Sequence, residues 1–198
     1  MIPPIYLASA SPRRHQLLLQ IGVEHTVLDV PSPPGEDEPR HEGENPLDYV
    51  QRTAQDKARN AQVWIKQQDQ SVFDHNRSVL TADTTVALGD MVLGKPSNEQ
   101  DAARILGMLS DRDHLVYTAI VLTRGDQQWK AISKSIVTFG QLTEVDIKAY
   151  IATREPFGKA GAYGVQGHAA SFIKKIEGSY SGIMGLPLFE TAQLLKNL

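Results

Sequence analysis

The chain has 198 residues, 41% of them hydrophobic and 22% charged, with a formal net charge of -3 and no cysteine. Those proportions suit one folded domain over residues 1–198 with a full core, and they exclude a disordered or repetitive chain. The weak negative charge excludes a global basic field for long nucleic acid, and the missing cysteines exclude disulfides, thiolate metal sites and a cysteine nucleophile.

The opening Met1-Ile2-Pro3-Pro4 lacks a charged region followed by an apolar one, and no apolar run is long enough to cross a bilayer. The expected location is therefore cytoplasmic, with no membrane partner. Ile5, Tyr6 and Leu7 predict the end of a buried strand, which leads through Ser9, Ser11, Pro12, Arg13 and Arg14 into a helix running past Leu17-Leu18-Leu19 to Gly22. Ser9 or Ser11 can cap that helix, and Pro12 suits its first turn, where a missing N–H costs nothing. Free N–H groups, two hydroxyls and two guanidinium groups at one helix start suit a phosphate chain. An ordinary capped helix with solvated arginines explains the same residues equally well.

His25–Val30 has the branched character of a short strand, and the proline-rich stretch 31–39 that follows is a loop. Its acids Glu36, Asp37 and Glu38 fit either a solvated loop or a set of metal ligands or a lid. From Asn45-Pro46 a helix is expected, with Leu47, Val50, Ala54, Ala58, Ala61 and Trp64/Ile65 at helical spacing and Lys57 projecting from its flank.

Val79–Leu88 gives the clearest strand signal, followed by a Gly89-Asp90 turn and a return through Met91-Val92-Leu93. Asp83 lies in the middle of that strand. A carboxylate among apolar neighbours must be hydrogen-bonded, paired or metal-bound, which makes Asp83 the first candidate for chemistry. Lys95, on the exit of the return strand, can aim its ammonium towards it, although a solvated turn lysine is the commoner case. Asn98 caps the next helix, through Leu109; two long strands, His114 to Thr123 and Trp129 to Phe139, meet at a hairpin; and Thr143 starts a short helix ending before Pro156. Strand pairs mixed with amphipathic helices define an α/β class with a mixed central sheet.

Residues 158–167 hold Gly158, Gly161, Gly164 and Gly167, which implies positive backbone angles or close approach of backbone to a ligand, or simply an elbow between elements. Tyr163 offers a ring for stacking, and the amide of Gln166 offers one donor and one acceptor. An apolar strand at Ser171-Phe172-Ile173 and a last helix after Gly185-Leu186-Pro187-Leu188 complete the chain. The six histidines form no H-E-x-x-H pair, so none is assigned to a metal.

Taken in order, LASASPRR at 7–14, QDKAR at 55–59, TADTTV at 81–86, LGKP at 93–96, KAGAYGVQG at 159–167 and GSYSGIMGLPL at 178–188 resemble the Maf family of nucleoside triphosphate pyrophosphatases. The resemblance covers nearly the whole chain and implies two lobes around a cleft, hydrolysis of a nucleoside triphosphate to the monophosphate and pyrophosphate, and a divalent metal, Mg²⁺ or Mn²⁺. The KAGAYGVQG block resembles the branch acting on dTTP and UTP. By motif position the resemblance implies Asp83 as general base and metal ligand, Glu38 as a second metal ligand, and Arg13, Thr84 and Gln166 as residues of substrate choice. Ser9, Ser11, Arg13, Arg14, Lys57 and Lys95 are the expected phosphate contacts. One departure is Gly158, where the family commonly has Asp. A nucleotide-binding regulator of cell division without turnover, and a pyrophosphatase of other base preference, are the competing readings; a homodimer is left open.

Overall fold

A computed structural model describes residues 2–31 and 38–198, so Glu36 and Asp37 of the proline-rich loop lie outside the described residues. The element order is β1 (Ile5–Ala8), α1 (Pro12–Gln20), β2 (His25–Leu28), α2 (Pro46–Lys66), β3 (Val79–Leu88), β4 (Met91–Leu93), α3 (Glu99–Leu109), β5 (Asp113–Arg124), β6 (Gln127–Phe139), α4 (Glu144–Ala152), β7 (Ile173–Glu177), α5 (Tyr180–Met184) and α6 (Leu188–Leu195). Short 3₁₀ turns at Ala160–Ala162 and His168–Phe172 lie between α4 and β7.

Local chemistry sets these boundaries. The Asn45 side chain accepts from the Asp48 N–H at 2.9 Å, Pro46 takes the first turn of α2, and Asp48 and Lys66 sit at the ends the helix dipole favours. Thr143 and Asp146 form a reciprocal capping box on α4. Ser11 occupies the cap position of α1 without a side-chain capping bond, so Pro12 and the backbone define that start.

All seven strands form one sheet in the order β2-β1-β3-β5-β6-β7, with β4 also on β3. β1 runs parallel to both β2 and β3, and the remaining pairs are antiparallel, which is the mixed α/β sheet expected. On one edge of β3 the partner is β1 at Val79 and Leu80, then β4 at Val86, Ala87 and Leu88. Residues 81–85 on that edge have no strand partner among the described residues. This in-plane gap lies between a flank carrying β1, β2 and α1 and a flank carrying β4, α3 and the glycine-rich turn. Asp83 stands midway along it.

Alternation along β3 then distributes its side chains. Val79 and Ala87 face α2, where Val50, Ala54, Ala58, Ala61 and Ile65 are buried. Ala54, Ala58 and Ala61 are fully buried, and their small side chains let α2 lie close to the sheet. Leu47 is not part of that stripe: it sits in the first turn and is 38% exposed. The other face of the sheet is covered by α1, α5 and α6 at one end, through Leu17, Leu18, Leu80, Ile120 and Leu186, and by α3, α4 and the glycine-rich turn at the other, through Val86, Leu106, Phe139 and Tyr163. None of the described helices is long and apolar enough to cross a membrane.

Two expectations in the C-terminal block need correction. The segment 171–172 is not strand: it closes the 3₁₀ turn His168–Phe172, because Phe172 packs its ring against Phe139 and Tyr150 before pairing with β6 begins at Ile173. Tyr163 is not a stacking surface either, being buried edge-on between His114 and Phe139. Gly161 explains the turn that buries it: its φ is +70°, and a Cβ there would come within 2.8 Å of Val86.

His114 shares this cluster, its Nε2 lying 2.8 Å from the Tyr163 hydroxyl, and burial pushes its pKa from 6.5 down to about 4. The unfolded chain therefore binds a proton on His114 below pH 6.5 that the folded chain refuses until about pH 4. Stability is expected to fall as pH drops through that window, at up to about 1.4 kcal/mol per pH unit from this group. Urea unfolding of wild type and His114→Phe across the window checks this; parallel stability curves would remove His114 as the cause.

Candidate active site

Asp83 is 4% exposed, and its carboxylate is fully engaged by α2. Thr53 Oγ1 donates to Asp83 Oδ2 at 2.7 Å, and Lys57 Nζ, one helical turn on, pairs with Oδ1. Spacing of i,i+4 puts Thr53 and Lys57 on one face of the helix, and the alanine stripe brings that face within reach of β3. Lys57 Nζ also pairs with Glu38, so one ammonium joins two carboxylates.

Glu38 is delivered by a strapped segment. Tyr49 Oη donates to the Glu38 carbonyl at 3.1 Å, and Arg52 reaches the Pro39 carbonyl at 2.9 Å while forking onto both oxygens of Glu44 at 2.6 and 2.8 Å. The hydrogen bonds from Arg52 hold the Glu44 carboxyl down at about 2, so this strap stays ionised through the physiological range. Arg40 extends it to the Asp90 carbonyl on the β3–β4 turn at 2.9 Å.

A second cluster forms on the opposite face of β3, around Arg14. Its Nε donates to the Gly185 carbonyl at 2.7 Å, one terminal nitrogen to Ser9 Oγ at 3.1 Å and the other to Thr84 Oγ1 at 3.2 Å. Thr84 lies 2.9 Å from Thr118 Oγ1, which donates to the Gly182 carbonyl at 2.8 Å. The Ser11 N–H donates to Ser9 Oγ at 3.2 Å, so Ser9 organises the turn into α1. Burial lowers the Arg14 pKa from its ordinary value, and Arg13 adds to this, while Asp83 and then Glu38 oppose it. The two clusters are thus electrostatically in reach of each other across the strand.

The remaining candidates stand on the rims. Arg13 is half-buried at the start of α1 and near enough to Lys159 to lower that ammonium's pKa, second to burial. Lys95 is exposed on the turn after β4, where the Gly94 carbonyl accepts from the Gly161 N–H at 3.1 Å and links that turn to the glycine-rich block. Gln166 is exposed on the same block. Among the described residues it is Lys57, not Lys95, that pairs with Asp83.

The structure therefore brings Glu38, Lys57 and Asp83 into direct contact and Ser9, Arg14 and Thr84 into a second contact set, with Arg13 at the start of α1, Lys95 on the turn after β4 and Gln166 on the glycine-rich block. Thr53, Tyr49, Arg52 and Glu44 were missed by sequence reading. The signal available was helical register: Thr53 lies four residues before Lys57, and Tyr49 four before Thr53.

Glu38 and Asp83 offer hard oxygen donors joined by a cation, the donor chemistry that Mg²⁺ or Mn²⁺ uses when one or two carboxylates share it with substrate phosphates. Glu38 and Asp83 would hold such an ion. Among the described residues no group of three or more His, Cys, Asp or Glu could hold a metal ion.

Asp83 thus stands at an in-plane gap of a mixed α/β sheet, paired with Lys57 and in electrostatic reach of Arg14. The chain belongs to the Maf family: the model described as Maf-like protein matches residues 4–198. It is 53% identical over 194 residues to a Bordetella avium protein named dTTP/UTP pyrophosphatase, covering 98% of this chain and 94% of the relative. A protein of the same name from Ralstonia nicotianae is 51% identical over 198 residues, covering 98% and 93%. Among solved structures, a nucleoside-triphosphatase / dITP/XTP pyrophosphatase from Mycobacterium abscessus aligns over 71% of this chain and 76% of its own, at 17% identity and a TM-score of 0.42.

Proposed function

We propose that this chain hydrolyses dTTP and UTP to the monophosphate and pyrophosphate, with Asp83 as general base. The observation that carries the reading is the Asp83 carboxylate held between Thr53 and the Lys57 ammonium at the gap in the sheet. Held this way, Asp83 has a fixed orientation for taking a proton from water as it adds across the α–β phosphoanhydride. Lys57, Arg13 and Lys95 neutralise charge on the phosphate oxygens, and Arg14 fixes Ser9 and Thr84 beside them. A divalent ion held by Glu38 and Asp83 would supply charge neutralisation and alignment of the phosphates when bound.

The Gln166 amide would read the base. Its N–H₂ can donate to O4 of uracil or thymine while its carbonyl accepts from N3–H, a pattern that cytosine reverses. The names of the relatives agree with that choice. Pyrophosphate release from a panel of dTTP, UTP, CTP and purine triphosphates, with Mg²⁺ or Mn²⁺, tests the proposal. Turnover of dTTP and UTP well above the rest is expected, and nucleotide-induced thermal stabilisation without product would favour a regulator instead.

A further inference from the structure

Glu155, on the turn after α4, has no part in the constellation described so far, yet the loop that presents Gln166 is built around its carboxylate. Oε1 accepts from Tyr150 Oη at 2.8 Å, and Oε2 accepts from the His168 N–H at 2.9 Å. Tyr150 Oη in turn accepts from the Gly164 N–H at 3.2 Å. Backbone donors on both sides of Gln166, at 164 and 168, therefore end on one acid, directly or through one phenol. Burial raises the pKa of this carboxyl, but the bonds from His168, Tyr150 and Ala169 and the charge of Lys159 together outweigh it, and the net direction is down. The Glu155 carbonyl also accepts from Lys159 Nζ, an ammonium that feels the charge of Arg13.

The loop closes tightly on this carboxylate at residue 167, where a side chain would push the Glu155 carboxylate aside. A Cβ at Gly167 would come within 2.1 Å of Glu155 Oε2. An ordinary surface glutamate would not need such an approach. Gln166, between these anchors, is exposed and makes no contribution to the core.

We infer that Glu155 is a positioning residue for base selection, its carboxylate fixing the 164–168 loop so that the Gln166 amide is presented in one orientation to the nucleotide base. The inference rests on the reading of Gln166 given above. A base-reading amide discriminates only if its donor and acceptor cannot exchange places, so a loosened loop lets the amide meet cytosine as readily as uracil. Asp83 lies on a different element and keeps its partners when this loop loosens.

The test is steady-state pyrophosphate release by the full chain, with UTP and CTP as substrates, for wild type, Gln166→Ala, Glu155→Ala, Glu155→Gln and Tyr150→Phe. For Glu155→Ala, kcat/KM on UTP is expected to fall by about 10- to 100-fold, mainly through KM, with the UTP-to-CTP ratio collapsing towards that of Gln166→Ala. Tyr150→Phe loses only the Gly164 branch and should move the ratio part of the way. Glu155→Gln keeps one acceptor and should fall between wild type and Glu155→Ala. If Glu155→Ala does not fold, the ratio in Tyr150→Phe and Glu155→Gln decides. Loss of activity on both nucleotides in equal proportion, with the ratio unchanged, would overturn the role of Glu155 while leaving that of Gln166 intact. A ratio unmoved in Gln166→Ala would overturn both.

Discussion

Asp83→Asn is expected to lower kcat on dTTP and UTP by about 10²–10⁴-fold while nucleotide binding survives. Asn has nearly the same shape, and its amide oxygen can still accept from Thr53 Oγ1, which now bonds Asp83 at 2.7 Å. What it cannot do is take a proton from water. It also releases Lys57 from one of its two carboxylates, leaving Glu38 as the ammonium's partner. Binding should hold because the cations proposed to meet the phosphates, on α1 and after β4, are untouched. Single-turnover pyrophosphate release and calorimetric binding of UTP separate the two effects. Unchanged turnover would remove Asp83 as the base, and loss of binding in step with turnover would make it a ligand contact only.

The reason the acid could be found from sequence alone is energetic. A carboxylate in the middle of Val79–Leu88 cannot be kept ionised without partners, so its presence there announces a site. The same logic identified the capped starts of α2, α3 and α4, where Asn45, Asn98 and Thr143 each accept the expected backbone N–H. Regular alternation made β3, β5 and β6 equally legible. What periodicity could not supply was which residues meet across the chain. Thr53 reads as helix filler, and only the alanine stripe of α2 pressing against β3 turns it into a partner of Asp83.

The glycine-rich block shows the opposite failure. Its glycines suggested backbone near a ligand, yet Gly161 is required by Val86 and Gly167 lies against the Glu155 carboxylate, both parts of the protein itself. Tyr163 likewise looked like a surface for a base and is spent on the His114 and Phe139 rings. Glycine reports close approach without saying what approaches. Adjacent Arg13 and Arg14 carried the same ambiguity. One is half-buried near Lys159, and the other is tied to Ser9, Thr84 and the Gly185 carbonyl. No local signal separates two arginines in a row; the helix rotates their side chains about 100° apart, and tertiary packing decides which is which.

Lys57→Met should be the most informative change after Asp83. Among the described residues Lys57 pairs with both carboxylates, so its loss removes the ammonium between Glu38 and Asp83 and leaves Arg14 as the cation in electrostatic reach of them. A kcat reduction of about 10²–10³-fold is expected on that ground. Stability should fall as well, but by less than for a fully buried pair: the Lys57 side chain is 35% exposed, while that of Asp83 is 6% exposed and keeps Thr53 as a donor, so a loss of about 1–3 kcal/mol is expected. The combination is diagnostic, because a residue that mattered only for holding α2 on the sheet would lower the melting temperature before it lowered turnover. Lys57→Arg restores the charge but replaces a point-like ammonium with a planar fork that cannot sit between two carboxylates in the same way, so only partial recovery of kcat is expected. If Lys57→Met raises KM and leaves kcat alone, the ammonium binds nucleotide without steadying the transition state. Full recovery in Lys57→Arg would mean that its charge, and not its place between Glu38 and Asp83, is what the reaction uses.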